Sequence, residues 1–176
     1  MKRILSTAAL LAVTLIAPLA QGQVKKSEVP GVTNFAQVET TVACAGAVTP
    51  SSVAGIKRMG FASIINLRLA DEKGADIDAE AAAAKEAGIA FVHIPMNGAK
   101  PDPAVADKFM QTITSPGTSP AFIHCASGNR AAAMWMIKRG LVDKWDIDRA
   151  AEEAQAIAPL SPALKDFATK YIAGHR

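Results

Sequence analysis

The chain has 176 residues, 19 of them basic and 16 acidic, and half of its residues are hydrophobic. That apolar content is too high for a disordered chain, and the length suits one domain rather than several. A formal net charge of +3 gives no signal for nucleic acid, which is not an expected partner.

The N-terminus, MKRILSTAALLAVTLIAPLAQGQ, pairs Lys2 and Arg3 with an apolar run from Ala8 to Leu19 and ends in small residues. The run is short for a bilayer span, and the pattern is that of a signal peptide over residues 1–22, cleaved after Gly22. A periplasmic or secreted protein of about 150 residues is expected, with no stable membrane insertion once the signal is removed. Removing Lys2 and Arg3 leaves 17 basic against 16 acidic side chains, a net charge near +1. Residues 23–37, beginning QVKKSEVP, predict a flexible leader, and residues 38–176 a single domain.

Folded character begins with the β-branched and apolar stretch Thr40 to Val48, which predicts the first strand. Thr49, Pro50 and Ser51 then open a short helix that carries Val53, Ile56 and Met59 and ends at Gly60. FASIINLR predicts a strand ending at Arg68, LADEKGAD a polar connection, and Ile77 to Ala87 an alanine-rich helix stopped by Gly88. Ile89 to Ile94 reads as a strand, Pro95 to Pro103 as a loop, and Ala104 to Ile113 as a helix. SPGTSP is a turn, Ala121 to His124 a short buried strand, and Asn129 to Arg139 a helix closed by Gly140. Helical spacing returns at Ile147 to Ile157 and at Pro162 to Ala173.

Alternation of strands and helices predicts right-handed crossovers and an α/β fold, with a mostly parallel four- to five-stranded sheet flanked by helices. In such sheets ligands bind at the carboxyl ends of strands. The segment HCASGNR, residues 124–130, lies at one such end.

Each residue of that segment has a chemical use. A strand-to-helix turn directs successive N–H groups inward and ends at the positive pole of a helix, which suits a tetrahedral anion and favours the thiolate of Cys125. Gly128 opens backbone angles closed to other residues, and the planar fork of Arg130 can hold two oxygens of the anion. The substrate-binding set is His124, Ala126, Ser127, Gly128, Asn129 and Arg130: Ser127 and the amides from Ala126 to Arg130 can bind the ligand, and His124 can also fix the loop through its ring. Two cysteines in an oxidising compartment can also bridge, but a Cys44–Cys125 disulfide would silence the nucleophile, so free thiols are expected.

Blander readings compete elsewhere. Arg68 suits an ion pair with Asp71 or Glu72 as well as a second anion contact. Asp102, between two prolines before a helix, has the sequence of an N-cap. His93 fits a packed strand position and His175 a chain end. Met134, Trp135 and Met136 fit core contacts, and Cys44 fits a buried strand cysteine. The His and Cys residues lack metal-ligand spacing, so no metal or other cofactor is expected. No pattern in the sequence marks an oligomeric state.

INLR at Ile65 to Arg68, VHIPMNG at Val92 to Gly98 and IHCASGNR at Ile123 to Arg130 occur in that order. Over about residues 38–158 the chain resembles the bacterial DUF442 family, which is related to dual-specificity phosphatases and also forms the front domain of beta-lactamase-hydrolase-like proteins. The resemblance implies the dual-specificity type of cysteine-phosphatase fold. It also implies hydrolysis of phosphomonoesters, on a phosphorylated small molecule or phosphoprotein, through a thiophosphate on Cys125 with Arg130 as clamp.

Four residues separate Cys125 from Arg130, one fewer than in cysteine phosphatases at large, and rhodanese-like loops often share the shorter form. A sulfurtransferase carrying a Cys125 persulfide, or a non-catalytic oxyanion-binding module, are the alternative readings. Two positions depart from the phosphatase pattern. Ala131 stands where Ser or Thr commonly follows the Arg. Asn97 lies nearest the place of the general-acid Asp, leaving Asp102 as the nearby carboxylate for that catalytic role.

Overall fold

A computed structural model describes residues 24–176, so the expected signal peptide lies outside the described residues. Six strands form one sheet: β1 (Lys25–Lys26), β2 (Ala36–Glu39), β3 (Val42–Ala45), β4 (Ser63–Asn66), β5 (Ala90–His93) and β6 (Ala121–His124), in the spatial order β1-β2-β3-β6-β4-β5. The strands β3, β6, β4 and β5 are parallel, and β1 and β2 add an antiparallel edge.

The α/β expectation holds, with a correction at that edge. Of residues 23–37, expected as a flexible leader, the described residues 24–37 instead supply β1, a bridge between Val32 and Val48, and the first residues of β2. Phe35 explains this, because it is buried and stacks on Phe122 of the central strand β6, with ring centroids 6.1 Å apart. One aromatic ring outweighs the polar composition around it.

The sheet is covered on both faces. On one side lie α1 (Val53–Arg58), entered through a single 3₁₀ turn at Pro50–Ser52, and α2 (Ile77–Ala87). On the other lie α3 (Pro103–Ile113), α4 (Asn129–Leu141), α5 (Ile147–Ile157) and α6 (Pro162–Gly174). Side chains of β6 alternate accordingly: Ile123 faces α4, and Phe122 faces α1 and α2.

Polar caps place the helix starts. Asp76 accepts from the Ala79 N–H, Asp102 from Ala104, Asp146 from Arg149 and Ser161 from Leu164. Helices α1 and α4 start without a side-chain cap, and α4 is apolar around most of its circumference because α5 and α6 wrap it against the sheet. The expected stop at Gly140 is therefore corrected. Gly140 lies inside α4, where a Cβ would come within 2.8 Å of Ile172, so the glycine admits α6 rather than ending the helix.

Candidate active site

Strand β6 ends at His124, and the chain turns through residues 125–128 into α4 at the carboxyl edge of the sheet. Cys125 is buried at the floor of this turn. The Gly128 N–H donates to its Sγ at 3.1 Å, and the thiol lies 3.9 Å from Asn129 Oδ1. Gly128 adopts φ +98, a left-handed conformation that brings this N–H inward, and it also serves as the N-cap of α4 without any side-chain cap. Among the described residues the amides of Ala126, Ser127, Asn129 and Arg130 meet no acceptor. Together with the helix pole, they form a cradle for an anion above the sulfur.

Arg130 is buried, and one side of its guanidinium is anchored. Nη1 donates to the backbone carbonyls of Leu67 and Met96, at 3.1 and 2.8 Å. The same Nη1 and its neighbour Nη2 meet Glu72 at 2.5 and 2.8 Å. The guanidinium is thus anchored to the loops after β4 and β5, which orients its remaining edge and Nε. Burial alone disfavours its charge, but the Glu72 hydrogen bond and the negative charge available to Cys125 raise its pKa above the ordinary value.

Glu72 is the residue that sequence reasoning missed in this role. It lies in the polar connection after β4, and that loop is folded by Arg68, which is buried rather than on the surface. Arg68 pairs with Glu72 at 3.3 Å and donates to the carbonyls of Lys73 and Gly74, both at 2.8 Å. The Leu69 N–H completes the Glu72 site at 2.9 Å. Burial pushes the Glu72 carboxyl up, but the Arg130 hydrogen bond, then the Leu69 N–H and the remaining cations, bring it down to about 2. Glu72 is therefore an ionised orienting group, not a proton donor.

Other expected site residues fall in different places. His124, expected among the substrate-binding residues, is fully buried on the α1/α2 side of the sheet, because strand alternation turns it away from Cys125. Its Nε2 lies 2.8 Å from Glu80 Oε1 of α2, off the line of a well-aligned hydrogen bond, while Asn66 Nδ2 donates to Glu80 Oε2 at 2.9 Å. This buried trio braces the base of the loop. Asp102 is exposed, and its Oδ1 accepts the Ala104 N–H at 2.9 Å to cap α3. Asn97 Oδ1 accepts the amides of Ala99 and Lys100, so it shapes the loop after β5.

Ala126 and Ser127 are exposed at the mouth of the turn, and Asn129 is half-buried. Cys44 is buried on β3 and, like Cys125, is a free thiol. Met134, Trp135 and Met136 are buried in the core behind the loop. His93 hydrogen-bonds the Arg68 carbonyl at 2.8 Å, and His175 stacks on Tyr171.

Residues 34–142, which include this turn and its arginine, match the family model described as "Beta-lactamase hydrolase-like protein, phosphatase-like domain". The chain belongs to this family. A beta-lactamase hydrolase-like protein of Xylella fastidiosa is 31% identical over 102 residues, which are 57% of this chain and 23% of that protein. The chain thus aligns with about a quarter of the length of the curated relatives it matches.

Solved structures of the same fold include a DUF442 protein of Shewanella putrefaciens CN-32, with TM-score 0.69, 18% identity, and coverage of 82% of this chain and 95% of that one. TpbA of P. aeruginosa superposes with TM-score 0.65 at 18% identity, covering 89% and 91%, in a structure holding pTyr. The catalytic core of the PP-IP phosphatase SIW14 of S. cerevisiae, in complex with citrate, gives TM-score 0.66 at 19% identity, covering 81% and 87%. The fold is therefore that of the cysteine phosphatases.

Proposed function

We propose that this phosphatase-like domain is a phosphomonoester hydrolase that works outside the cytosol through a cysteinyl-phosphate on Cys125. The observation that carries the reading is the placement of Cys125 Sγ at the N-terminal end of α4, with the Gly128 N–H at 3.1 Å and the Arg130 guanidinium anchored beside it. Export rests on the signal-peptide pattern of residues 1–22.

In the first step the Cys125 thiolate attacks phosphorus, an S–P bond forms and the P–O bond to the leaving group breaks. The loop amides and Arg130 stabilise the charge on the equatorial oxygens. Water then attacks phosphorus, the S–P bond breaks and the thiolate returns with release of inorganic phosphate. Glu72 keeps Arg130 charged and aimed throughout.

The leaving oxygen sets the substrate class. Asn97 carries no acidic proton, and Asp102 is engaged as a helix cap. Losing a general acid costs roughly 10²–10⁴-fold, tolerable for an aryl oxide and severe for an alkyl oxide. Phosphotyrosine-like aryl esters are accordingly the proposed substrates, and the pTyr held by TpbA is of that chemistry.

The test is parallel assay of an aryl phosphate and of thiosulfate-to-cyanide transfer with reduced wild type and Arg130→Lys. Arg130→Lys keeps the charge but loses the fork, and it should lower aryl-phosphate kcat/KM by roughly 10²–10³-fold. Sulfur transfer without phosphate release would replace this reading with the sulfurtransferase one, and neither activity would leave an oxyanion-binding module.

A further inference from the structure

We infer that Asn34 is a positioning residue that sets the orientation of the Ser127–Gly128 peptide and thereby aims the Gly128 N–H at the Cys125 sulfur. The inference rests on the reading of Cys125 as nucleophile, and it assigns a function to a segment that composition alone marks as a leader.

The Asn34 side-chain nitrogen donates to the Ser127 carbonyl oxygen at 3.0 Å. Because the acceptor is a carbonyl, only the NH₂ end of the amide can face it. The Ser127 carbonyl and the Gly128 N–H belong to one planar peptide unit and point in opposite directions. Holding the oxygen outward therefore holds the hydrogen inward, where it meets Cys125 Sγ at 3.1 Å.

The neighbouring peptide is held in the same sense by the main chain. The Ala47 N–H donates to the Ala126 carbonyl at 3.0 Å, so the Ser127 N–H also points inward. Two consecutive carbonyls are thus tied outward, the first by backbone and the second by a side chain from 93 residues away. A lock is needed at the second because Gly128, at φ +98, has no Cβ to resist rotation of that peptide. A rotated peptide would present a carbonyl dipole to a thiolate or phosphate.

Asn34 is itself held where this requires. Its φ is +50, a conformation that asparagine tolerates better than most side chains. The residue before it is pinned to the strand β3 exit, with the Thr33 N–H donating to the Ala47 carbonyl at 2.9 Å and the Gly46 N–H to the Thr33 carbonyl at 2.7 Å. The residue after it is Phe35, stacked on Phe122 of β6. The edge that contains β1 and β2 is therefore tied to the strand that delivers Cys125. The charged and titratable neighbours at the sulfur are Arg130 of α4, Glu72 behind it and Cys44 of β3, and none is altered by a change at Asn34.

The experiment compares wild type, Asn34→Gly, which keeps the left-handed backbone and removes the donor, and Asn34→Asp, which keeps the shape and opposes a carbonyl with a carboxylate. Cys125 alkylation by iodoacetamide is followed against pH, beside aryl-phosphate kinetics and thermal unfolding. Alkylation below the midpoint should slow about five- to tenfold in Asn34→Gly and more in Asn34→Asp, with the pH midpoint displaced upward. Any loss of turnover should fall on kcat rather than KM.

Alkylation profiles that superimpose on wild type would overturn the inference. Since alkylation needs no substrate, a displaced profile in a protein that hydrolyses no phosphate ester would sustain it while removing the phosphatase reading. If neither variant folds, the wild-type Asn34 side-chain amide is read by NMR. Slow exchange of one of its two protons supports the lock, and free exchange of both rules it out.

Discussion

The carboxylate of Glu72 and the guanidinium of Arg130 face one another fork to fork, at 2.5 and 2.8 Å, although 58 residues separate them in the chain. Arg68 and the Leu69 N–H hold the same carboxylate from the other side. The arginine that would grip a substrate oxyanion is thus pre-oriented by a carboxylate whose own loop is folded by a second arginine.

This pair makes stability depend on acid. The folded-state Glu72 value of about 2 lies below its ordinary 4.5, so its contribution is fully present above the ordinary value and is lost as pH falls from there toward 2. Glu72→Gln should be less stable than wild type at neutral pH by roughly 1–3 kcal/mol, and the difference should shrink across that acidic window. Urea unfolding at several pH values measures it. A constant difference would mean that the carboxylate charge contributes nothing.

Glu80 should matter more to folding than its position on α2 suggests. It is buried between His124 and Asn66, and truncation leaves both without their partner. Glu80→Ala should lose about 3–5 kcal/mol, read from chemical denaturation, whereas an exposed glutamate on the same helix, such as Glu86, should lose well under 1 kcal/mol on the same change.

The two roles open to Asp102 separate cleanly by substitution. Asparagine caps a helix about as well as aspartate but carries no acidic proton, so Asp102→Asn should keep both stability and aryl-phosphate turnover, while Asp102→Ala should lose ~1 kcal/mol. A fall of roughly 10²-fold in turnover by Asp102→Asn would restore it as the general acid.

The two thiols should behave differently. Burial, with a smaller addition from Cys125, pushes the Cys44 thiol far above its ordinary pKa. Iodoacetamide at neutral pH should modify Cys125 in the native protein and reach Cys44 only after denaturation, as peptide mass mapping would show. Both are buried, but Cys125 adjoins the exposed Ala126 and Ser127 of the turn whereas Cys44 lies inside β3, and equal labelling in the native state would contradict that difference.

Much of the fold was legible because local signals and tertiary packing agree. Ile77–Ala87, Ala121–His124 and Ile147–Ile157 fall where caps, glycine and apolar spacing place them. The failures come from partners distant in sequence. Phe35 draws a polar stretch onto the sheet, Ile172 makes Gly140 a packing position, and Glu80 claims His124 from the other face. Within the site, HCASGNR announces the nucleophile and its cradle through residue types that have few other uses together. Glu72 and Asn34 lack such a signature, because a carboxylate in a polar loop and an amide before a strand have many uses. Each becomes visible only when the fold brings it to Arg130 or to Ser127.

The central claim is that Cys125 takes up a phosphoryl group. Acid quench of reduced protein turning over an aryl phosphate, followed by mass analysis of the peptide containing Cys125, tests it most directly. A phosphoryl adduct on that peptide in wild type, absent from Cys125→Ser together with turnover, is the predicted result. Aryl-phosphate hydrolysis that survives in Cys125→Ser would contradict it.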